Sequence, residues 1–410
     1  MKLLWLPFEN FPFADAAGVA NGLVSRSVFL AALLTAVVRR LLSTAPGFLI
    51  SATAPGSGKT LLALCLASLM SADMPDVLGV PEGVDENELS KLLLAKAING
   101  SPILLMDNIA SVFSSAALCG FLTSPVYEGR ILGVSQTTRV PTNSLLVLTG
   151  NKPVIIGDLN RRLLRCELDP GMEAPHKRAF NLDPLEYCRG RRLDMVRAGL
   201  ILLRAWHNAG SPTFTHDRTA SFEAWSDTIR QCVIWIGRND WLDVDDPVAS
   251  IDAGFEADPD MRKLDALLRA WEAEFGAARQ PVKALRPYAM DRDTELFDAL
   301  DEIGAIERGE LNPRRIGRWI EARAGRVVEG RRFVQDGSRS NTLLWRVEVL
   351  DQSECQHENG EFGEFGEFST SYARNEKSYE NENGNGLKQT HQTHQTHQNP
   401  PWRRPKGDGQ

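Results

Sequence analysis

Apolar residues in the first part of the chain fall into short unbroken runs separated by stretches with helical spacing. Gly47-Phe48-Leu49-Ile50, Pro102-Ile103-Leu104-Leu105-Met106 and Leu145-Leu146-Val147-Leu148 are three such runs, each bounded by turn-forming residues. A strand that is apolar at every position is buried on both faces, so these runs predict parallel strands inside a sheet. Between them, Thr60 to Met70 and Glu86 to Ala97 place apolar residues three or four apart and predict helices. From Gly47 to about Asp169 the alternation predicts an α/β architecture.

Upstream, Trp5-Leu6-Pro7-Phe8 and Phe11-Pro12-Phe13 read as an extended aromatic lead into a helix from about Ser25 to Leu42. The apolar part of that helix, Val28 to Val38, covers 11 residues before Arg39-Arg40. A bilayer span needs about 20, so the segment reads as a buried helix and no membrane contact is expected. Downstream, the strand signal lapses, and Pro184 to Asn208 and Phe222 to Ile236 predict a helical lid.

An acidic connection, Asp243 to Asp260, leads to predicted helices at Met261 to Phe275, Asp291 to Ile303 and Pro313 to Ala324. Two β-prone segments follow, Gly325 to Val334 and Thr342 to Val349, joined by Gln335-Asp336-Gly337-Ser338. A helix followed by a two-stranded wing is the order of a winged helix. Beyond Leu350 come repeats of Gly-Glu-Phe, an Asn-rich stretch and repeats of Gln-Thr-His, a composition too poor in apolar surface to fold alone. The expected organisation is a helical lead over 1–45, an ATPase core over 46–170, the lid over 171–245, a helical linker and winged helix over 246–349, and a disordered tail over 350–410.

Composition narrows the class. With 410 residues and 43% hydrophobic content the chain can bury more than one core. A net charge of −7 excludes a protein that coats nucleic acid with its whole surface and assigns any such contact to local basic patches. The six cysteines, at positions 65, 119, 166, 188, 232 and 355, form no C-x-x-C pair, which suits a reducing compartment rather than a zinc or disulfide framework. Acidic residues soon after Met1 and the lack of a cleavage pattern argue against secretion, so a cytoplasmic protein is expected.

The chemistry lies at the ends of the predicted strands. Ala54-Pro55-Gly56-Ser57-Gly58-Lys59-Thr60-Leu61 follows one strand and opens a helix, the setting in which backbone N–H groups hold the phosphates of ATP. Lys59 would neutralise the β- and γ-phosphates and Thr60 would offer its hydroxyl to Mg²⁺. Thr53 stands where the usual pattern has its first glycine. A glycine-rich turn that happens to precede Lys-Thr is the bland alternative.

The next apolar run ends in Asp107, the expected second Mg²⁺ ligand, and Asn108 follows where related ATPases often carry a carboxylate that activates water. An amide cannot act as a base, so Asn108 could only orient water: either the base comes from elsewhere, with Glu128 as a candidate, or hydrolysis is slow. The third run closes in Thr149-Gly150-Asn151-Lys152-Pro153, where Asn151 either hydrogen-bonds the attacking water or makes a simple turn before proline.

This order of motifs resembles the superfamily 3 helicases of the AAA+ class, and more closely the helicase part of phage and mobile-element primase-helicases. The aromatic lead, Thr44-Ala45-Pro46, Asp158-Leu159-Asn160-Arg161-Arg162, Ser221-Phe222-Glu223-Ala224-Trp225 and Trp235-Ile236-Gly237 carry the resemblance across residues 1 to 348. It implies a homo-hexameric ring with ATP between subunits and an arginine reaching the neighbour's γ-phosphate. Arg161 and Arg162 match the family's paired arginines, with Arg165 close by; arginines solvated at a strand entrance are the alternative. Members of this group often carry a primase domain upstream, whereas the ATPase pattern here begins almost at Met1, so priming is not expected of this chain and a separate primase is a candidate partner.

Tyr127 to Gly133 and Thr137 to Val140 predict a β-hairpin, which in the resembled helicases projects into the ring channel. Arg130 and Arg139 are its candidates for gripping a DNA strand through phosphates. Residues 308–348 hold ten Arg against five acidic residues, a local net charge of +5. Arg314, Arg315, Arg318 and Arg323 recur along the predicted helix and Arg331 and Arg332 start the wing, which suits phosphate contact; a module for protein contacts is the alternative. The three tail histidines, His391, His394 and His397, read as repeat expansion rather than a metal tract. The sequence therefore predicts an ATP- and Mg²⁺-dependent DNA helicase or translocase of a mobile element or prophage, with a non-unwinding DNA-binding regulatory or loading ATPase as runner-up. A decayed remnant that no longer assembles is a third reading.

Overall fold

A computed structural model describes residues 1–15, 22–79, 85–109, 112–130, 137–172, 175, 182–256, 258–339 and 342–350. In chain order, α1 (Lys2–Trp5), β1 (Phe13–Ala14) and α2 (Leu23–Val38) precede β2 (Gly47–Ala52), α3 (Lys59–Met70), β3 (Val77–Gly79), α4 (Glu86–Ile98) and β4 (Ile103–Asp107). Next come β5 (Val112–Phe113), α5 (Ala116–Thr123), β6 (Val126–Arg130), β7 (Thr137–Pro141), β8 (Leu145–Asn151), β9 (Val154–Ile155) and β10 (Leu163–Leu168). Helices α6 (Pro184–Gly190), α7 (Arg192–Asn208), α8 (Glu223–Trp225), α9 (Gln231–Arg238), α10 (Ala249–Glu256) and α11 (Pro259–Phe275) follow. The described chain closes with β11 (Gln280–Pro281), α12 (Glu295–Glu302), β12 (Ile306–Glu307), β13 (Glu310–Leu311), α13 (Pro313–Glu321), β14 (Arg331–Arg339) and β15 (Thr342–Val349).

The fold is mixed α/β around a central sheet of order β1-β10-β2-β8-β4-β3, parallel throughout except for the antiparallel β1. The three apolar runs are its middle strands, buried along almost their whole length, as the unbroken apolar pattern required. Strand β8 lies between β2 and β4, and Ala52 at the end of β2 sits opposite Asn151 at the end of β8. The tips of these three neighbours therefore meet at one edge, although they are far apart in sequence.

One hydrophobic core runs from Leu4 to Ile251 and joins the sheet to α2, α3, α7 and α9. A second, built on Leu267, Leu268, Trp271, Ile316, Phe333 and Trp345, belongs to residues 264–347. There α11, α12 and α13 accompany an antiparallel sheet of order β11-β15-β14.

Three expectations are corrected. The aromatic lead is not extended: α1 and a 3₁₀ turn at Leu6–Phe8 fold it back, because Trp5, Phe8 and Phe13 pack around Phe29 of α2. The predicted helix of 184–208 breaks at Arg191, and that of 222–236 contains a π turn at Ser226–Arg230. Gln335 to Ser338 is not the turn of the C-terminal hairpin, since β14 continues to Arg339 and absorbs Asp336-Gly337 as a bulge. Gly337 supplies the positive φ of 83° that the bulge uses.

The tail after Leu350, with Cys355, His391, His394 and His397, lies outside the described residues, as do Ile131 to Gly133 at the predicted hairpin tip. Among the described residues, no helix is long and apolar enough to cross a membrane, and no three His, Cys, Asp or Glu cluster as a metal site.

Candidate phosphate-binding site

The loop Thr53 to Gly58 leaves the end of β2 and enters α3 without a side-chain cap, so the first N–H groups of that helix keep their donor capacity. Gly56 and Gly58 have φ of 74° and 98°, a backbone region that other residues adopt only with strain. Thr53 needs no such freedom. Its N–H reaches the carbonyl of Leu168 at 3.4 Å, and its hydroxyl donates to Asp169 at 3.2 Å. The departure from the usual glycine thus fastens the loop entry to the end of β10.

Lys59 opens α3 and points back over the loop. Its ammonium donates to Asn151 Oδ1 at 2.8 Å and to the Ala54 carbonyl at 3.3 Å. Burial pushes the Lys59 pKa down, and the charge of Asp107 opposes that shift. Both hydrogen-bond partners are uncharged, which leaves a largely buried cation directed at the mouth of the loop.

Thr60, one residue on, donates to Asp107 Oδ1 at 2.9 Å. Asp107 also accepts from the Thr149 hydroxyl, and Thr149 in turn accepts the Asn108 N–H at 3.2 Å. Two hydroxyls and one carboxylate are thereby held at the tips of β4 and β8. Asn108 has a left-handed φ of 57° and an exposed side chain. That conformation turns the chain away from β4, and Ile109 rejoins β8 through its N–H to the Thr149 carbonyl.

Lys59, Thr60, Asp107 and Asn151 are thus brought together as the sequence predicted, with Asn108 at their border. Ala54 and Ser57 line the loop, where the Ser57 hydroxyl donates to the Ala54 carbonyl, and Pro55 is exposed. Leu61 is partly buried against the core, so only its backbone faces the loop side of α3. Thr149 was missed: a threonine closing an apolar run reads as an ordinary strand residue. Its position two residues before Asn151 was the available signal. Phe11 was missed too; a side chain at Gly58 would meet its ring at 2.9 Å.

The remaining candidates lie elsewhere. Glu128 and Arg139 face each other across the β6–β7 hairpin as an exposed ion pair at 3.4 Å, and Arg130 sits on the same strand as Glu128. Glu128 is therefore engaged with Arg139 rather than with the Lys59 cluster. Arg161 is partly exposed and pairs with Asp158 at 2.5 Å. Arg162 pairs with the same carboxylate but is buried, and Arg165 is buried on β10 against Asn160.

In the C-terminal module the basic excess is largely neutralised internally. Arg315 pairs with Glu307, Arg323 and Arg326 with Asp260, Arg331 with Glu272, and Arg332 and Arg346 with Glu348. Arg314 and Arg318 are exposed on α13, whose Ile316 and Ile320 face the core, and no ion pair engages either arginine among the described residues. Of the arginines expected to meet phosphate, Arg315, Arg331 and Arg332 are thus each ion-paired within the chain.

No protein-family model matches the sequence, and no curated protein matches it. Among solved structures, the structure of a Drosophila ORC bound to DNA aligns with 85% of this chain and 94% of its own, at 14% identity and a TM-score of 0.19. A score that low carries no argument about fold or function.

Proposed function

We propose that this chain is a Mg²⁺-dependent ATPase that moves on DNA as a subunit ring, in the manner of a mobile-element or prophage helicase. The observation that carries the reading is the convergence of Lys59, Thr60, Asp107, Thr149 and Asn151 at the tips of three adjacent strands. Each group there matches one demand of a phosphoanhydride with its cation: a buried ammonium, an uncapped helix start, a hydroxyl and a carboxylate.

The loop from Ala54 to Leu61 would hold the phosphates, and Thr60 with Asp107 would hold Mg²⁺. When bound, ATP and Mg²⁺ supply the polarised phosphoanhydride. Lys59 neutralises negative charge at the loop mouth, and Asn151, already hydrogen-bonded to Lys59, orients a neighbouring polar group. Asn108 offers an amide to water but no base. Arg161 keeps enough exposure to reach a neighbouring copy, as a ring with shared sites would need. In the C-terminal module, the strand order β11-β15-β14 with α13 suits a winged helix, where Arg314 and Arg318 would meet phosphate.

DNA-stimulated ATP hydrolysis with strand displacement on a fork tests this reading. Hydrolysis that depends on Mg²⁺ and displaces strands supports it, and protein that binds neither nucleotide nor DNA refutes it. The second reading, a regulatory or loading ATPase on DNA, is favoured by Asn108 standing where a carboxylate base would serve; nucleotide-controlled DNA binding without displacement would select it.

A further inference from the structure

Helix α7 is apolar on two opposite faces. Met195, Gly199, Leu202 and Trp206 form the face buried against the core. Leu193, Leu200 and Ile201 lie on the other side, 70%, 47% and 58% exposed. With about 100° of turn per residue, positions 193, 197, 200, 201 and 204 share one stripe, so Arg197 and Arg204 stand among these three apolar residues. A surface helix ordinarily turns a polar face to water, and an apolar stripe opposite the core marks a place that another molecule covers.

The charge of the stripe narrows what that molecule is. Arg197 makes a long, exposed ion pair with Asp194 at 3.7 Å, and no ion pair engages Arg204 among the described residues. Two copies of α7 packed antiparallel would set arginine against arginine, so the stripe does not suit its own image. It suits an acidic surface with a large apolar residue at its centre.

The chain carries such a surface just after α9. Trp241 is 44% exposed and packs edge-on against Trp235 at 4.7 Å. Asp240, Asp243 and Asp245 surround it, all exposed. Asp243 pairs with Arg26, whereas no ion pair engages Asp240 or Asp245 among the described residues. A tryptophan steadied by a second ring and rimmed by carboxylates has the make-up of an interface anchor.

The two surfaces belong to opposite ends of α2. In its first turn, Arg26 donates to the Asp243 carbonyl at 3.0 Å, and the Ser27 hydroxyl accepts the Asp245 N–H at 2.7 Å. Near its end, Val37 packs on Gly199 of α7, where a β-carbon would meet it at 2.9 Å. From Arg26 to Val37 the helix rises about 16 Å. α2 also runs against the parallel strands: Ser25 accepts the Glu167 N–H near the end of β10, and Arg39 donates to the Ser144 carbonyl just before β8. Arg192, at the start of α7, donates to the Leu69 and Met70 carbonyls at the end of α3 away from the phosphate loop. The Trp241 turn therefore sits toward the strand tips, and α7 toward the strand starts.

We infer that the outer stripe of α7 docks the acidic Trp241 turn of a second copy, head to tail. The inference rests on the ring reading and adds to it a contact that holds neither nucleotide nor DNA. The same order carries Arg161, just ahead of β10, toward the strand tips of the neighbour. Head-to-tail contacts close into a ring when the rotation between copies allows it.

The test mixes two full-chain variants, His207→Cys and Asn239→Cys, with Mg²⁺, a non-hydrolysable ATP analogue and a short bismaleimide. Both positions are exposed and flank the two surfaces, so folding should be unaffected. Cross-linked dimer should form at least about 10-fold faster in the mixture than in either variant alone or in the unaltered protein, because docking raises the local concentration of one thiol near the other. Adding Arg197→Glu and Arg204→Glu to the first variant should slow cross-linking by about 10-fold, and Asp240→Arg with Asp245→Arg in the second should recover most of it. Assembly by sedimentation without a cross-link above the controls, or a cross-link indifferent to charge reversal, overturns the inference and leaves the ring reading standing. Protein that sediments as a monomer under every nucleotide condition overturns the ring reading and the inference with it.

Discussion

Thr60 donates its hydroxyl hydrogen to Asp107 across 2.9 Å, joining the first turn of one helix to the tip of a strand two positions away in the sheet. Both are oxygen ligands of the kind Mg²⁺ prefers, and Mg²⁺ sites commonly take one or two protein oxygens and leave the rest to water and phosphate. The contact holds the two at a separation from which both can face one cation. Thr60→Val should therefore raise the Mg²⁺ concentration that half-activates hydrolysis by about 10-fold or more, while circular dichroism stays unchanged. An unaltered Mg²⁺ titration would remove Thr60 from the cation site.

Lys59→Met removes the buried ammonium and keeps much of its bulk. Loss of one preorganised group that stabilises developing charge typically costs about 100- to 1000-fold in rate, and hydrolysis should fall at least that far. Stability should hold, because Asn151 is exposed and can turn to water. Steady-state phosphate release, read beside thermal melting, distinguishes a chemical defect from an unfolded protein.

Thr149→Val deletes the hydroxyl that serves both Asp107 and the Asn108 N–H. Leaving such groups without a partner costs about 1–3 kcal/mol, so the urea midpoint should drop and nucleotide turnover should fall with it. Replacement by serine keeps the hydroxyl and should restore most of both. Equal behaviour of valine and serine variants would dismiss the role given to Thr149.

Arg161→Ala should leave nucleotide binding intact and reduce hydrolysis in the assembled protein by about 1000-fold, the scale of an arginine acting across an interface. Mixing it with Lys59→Met protein should recover part of the activity, since each site would then borrow a functional group from the other variant. Failure of every mixing ratio to recover activity would refute an arginine shared between subunits.

Gly254→Ala probes packing away from the phosphate site. A β-carbon there would lie 2.5 Å from Arg165 Nε and 2.8 Å from Asn160 Oδ1, in a helix laid directly on β10. Overpacking of this kind costs about 1–3 kcal/mol, so the thermal midpoint should fall without loss of nucleotide affinity at low temperature.

The central strands and the Lys59, Asp107 and Asn151 positions were legible because both signals are local. An apolar run reports burial on two faces, and a glycine-rich loop before a helix reports its own geometry. What escaped depends on partners distant in sequence. Arg331 meets Glu272 and Arg323 meets Asp260, so counting charges within 308–348 overstated the free positive charge. Arg161 and Arg162 look alike in sequence, yet only the second faces the end of α5. The π turn at Ser226–Arg230 leaves the apolar spacing nearly helical, which is why the pattern reads through it.

Phe11 packs against Gly58, and the same aromatic group continues through Phe13 to Trp5, stacked at 5.7 Å. Through Phe11, the opening dozen residues therefore reach the loop that enters α3. Trimming them, or fusing a bulky partner directly ahead of Trp5, would perturb the loop itself.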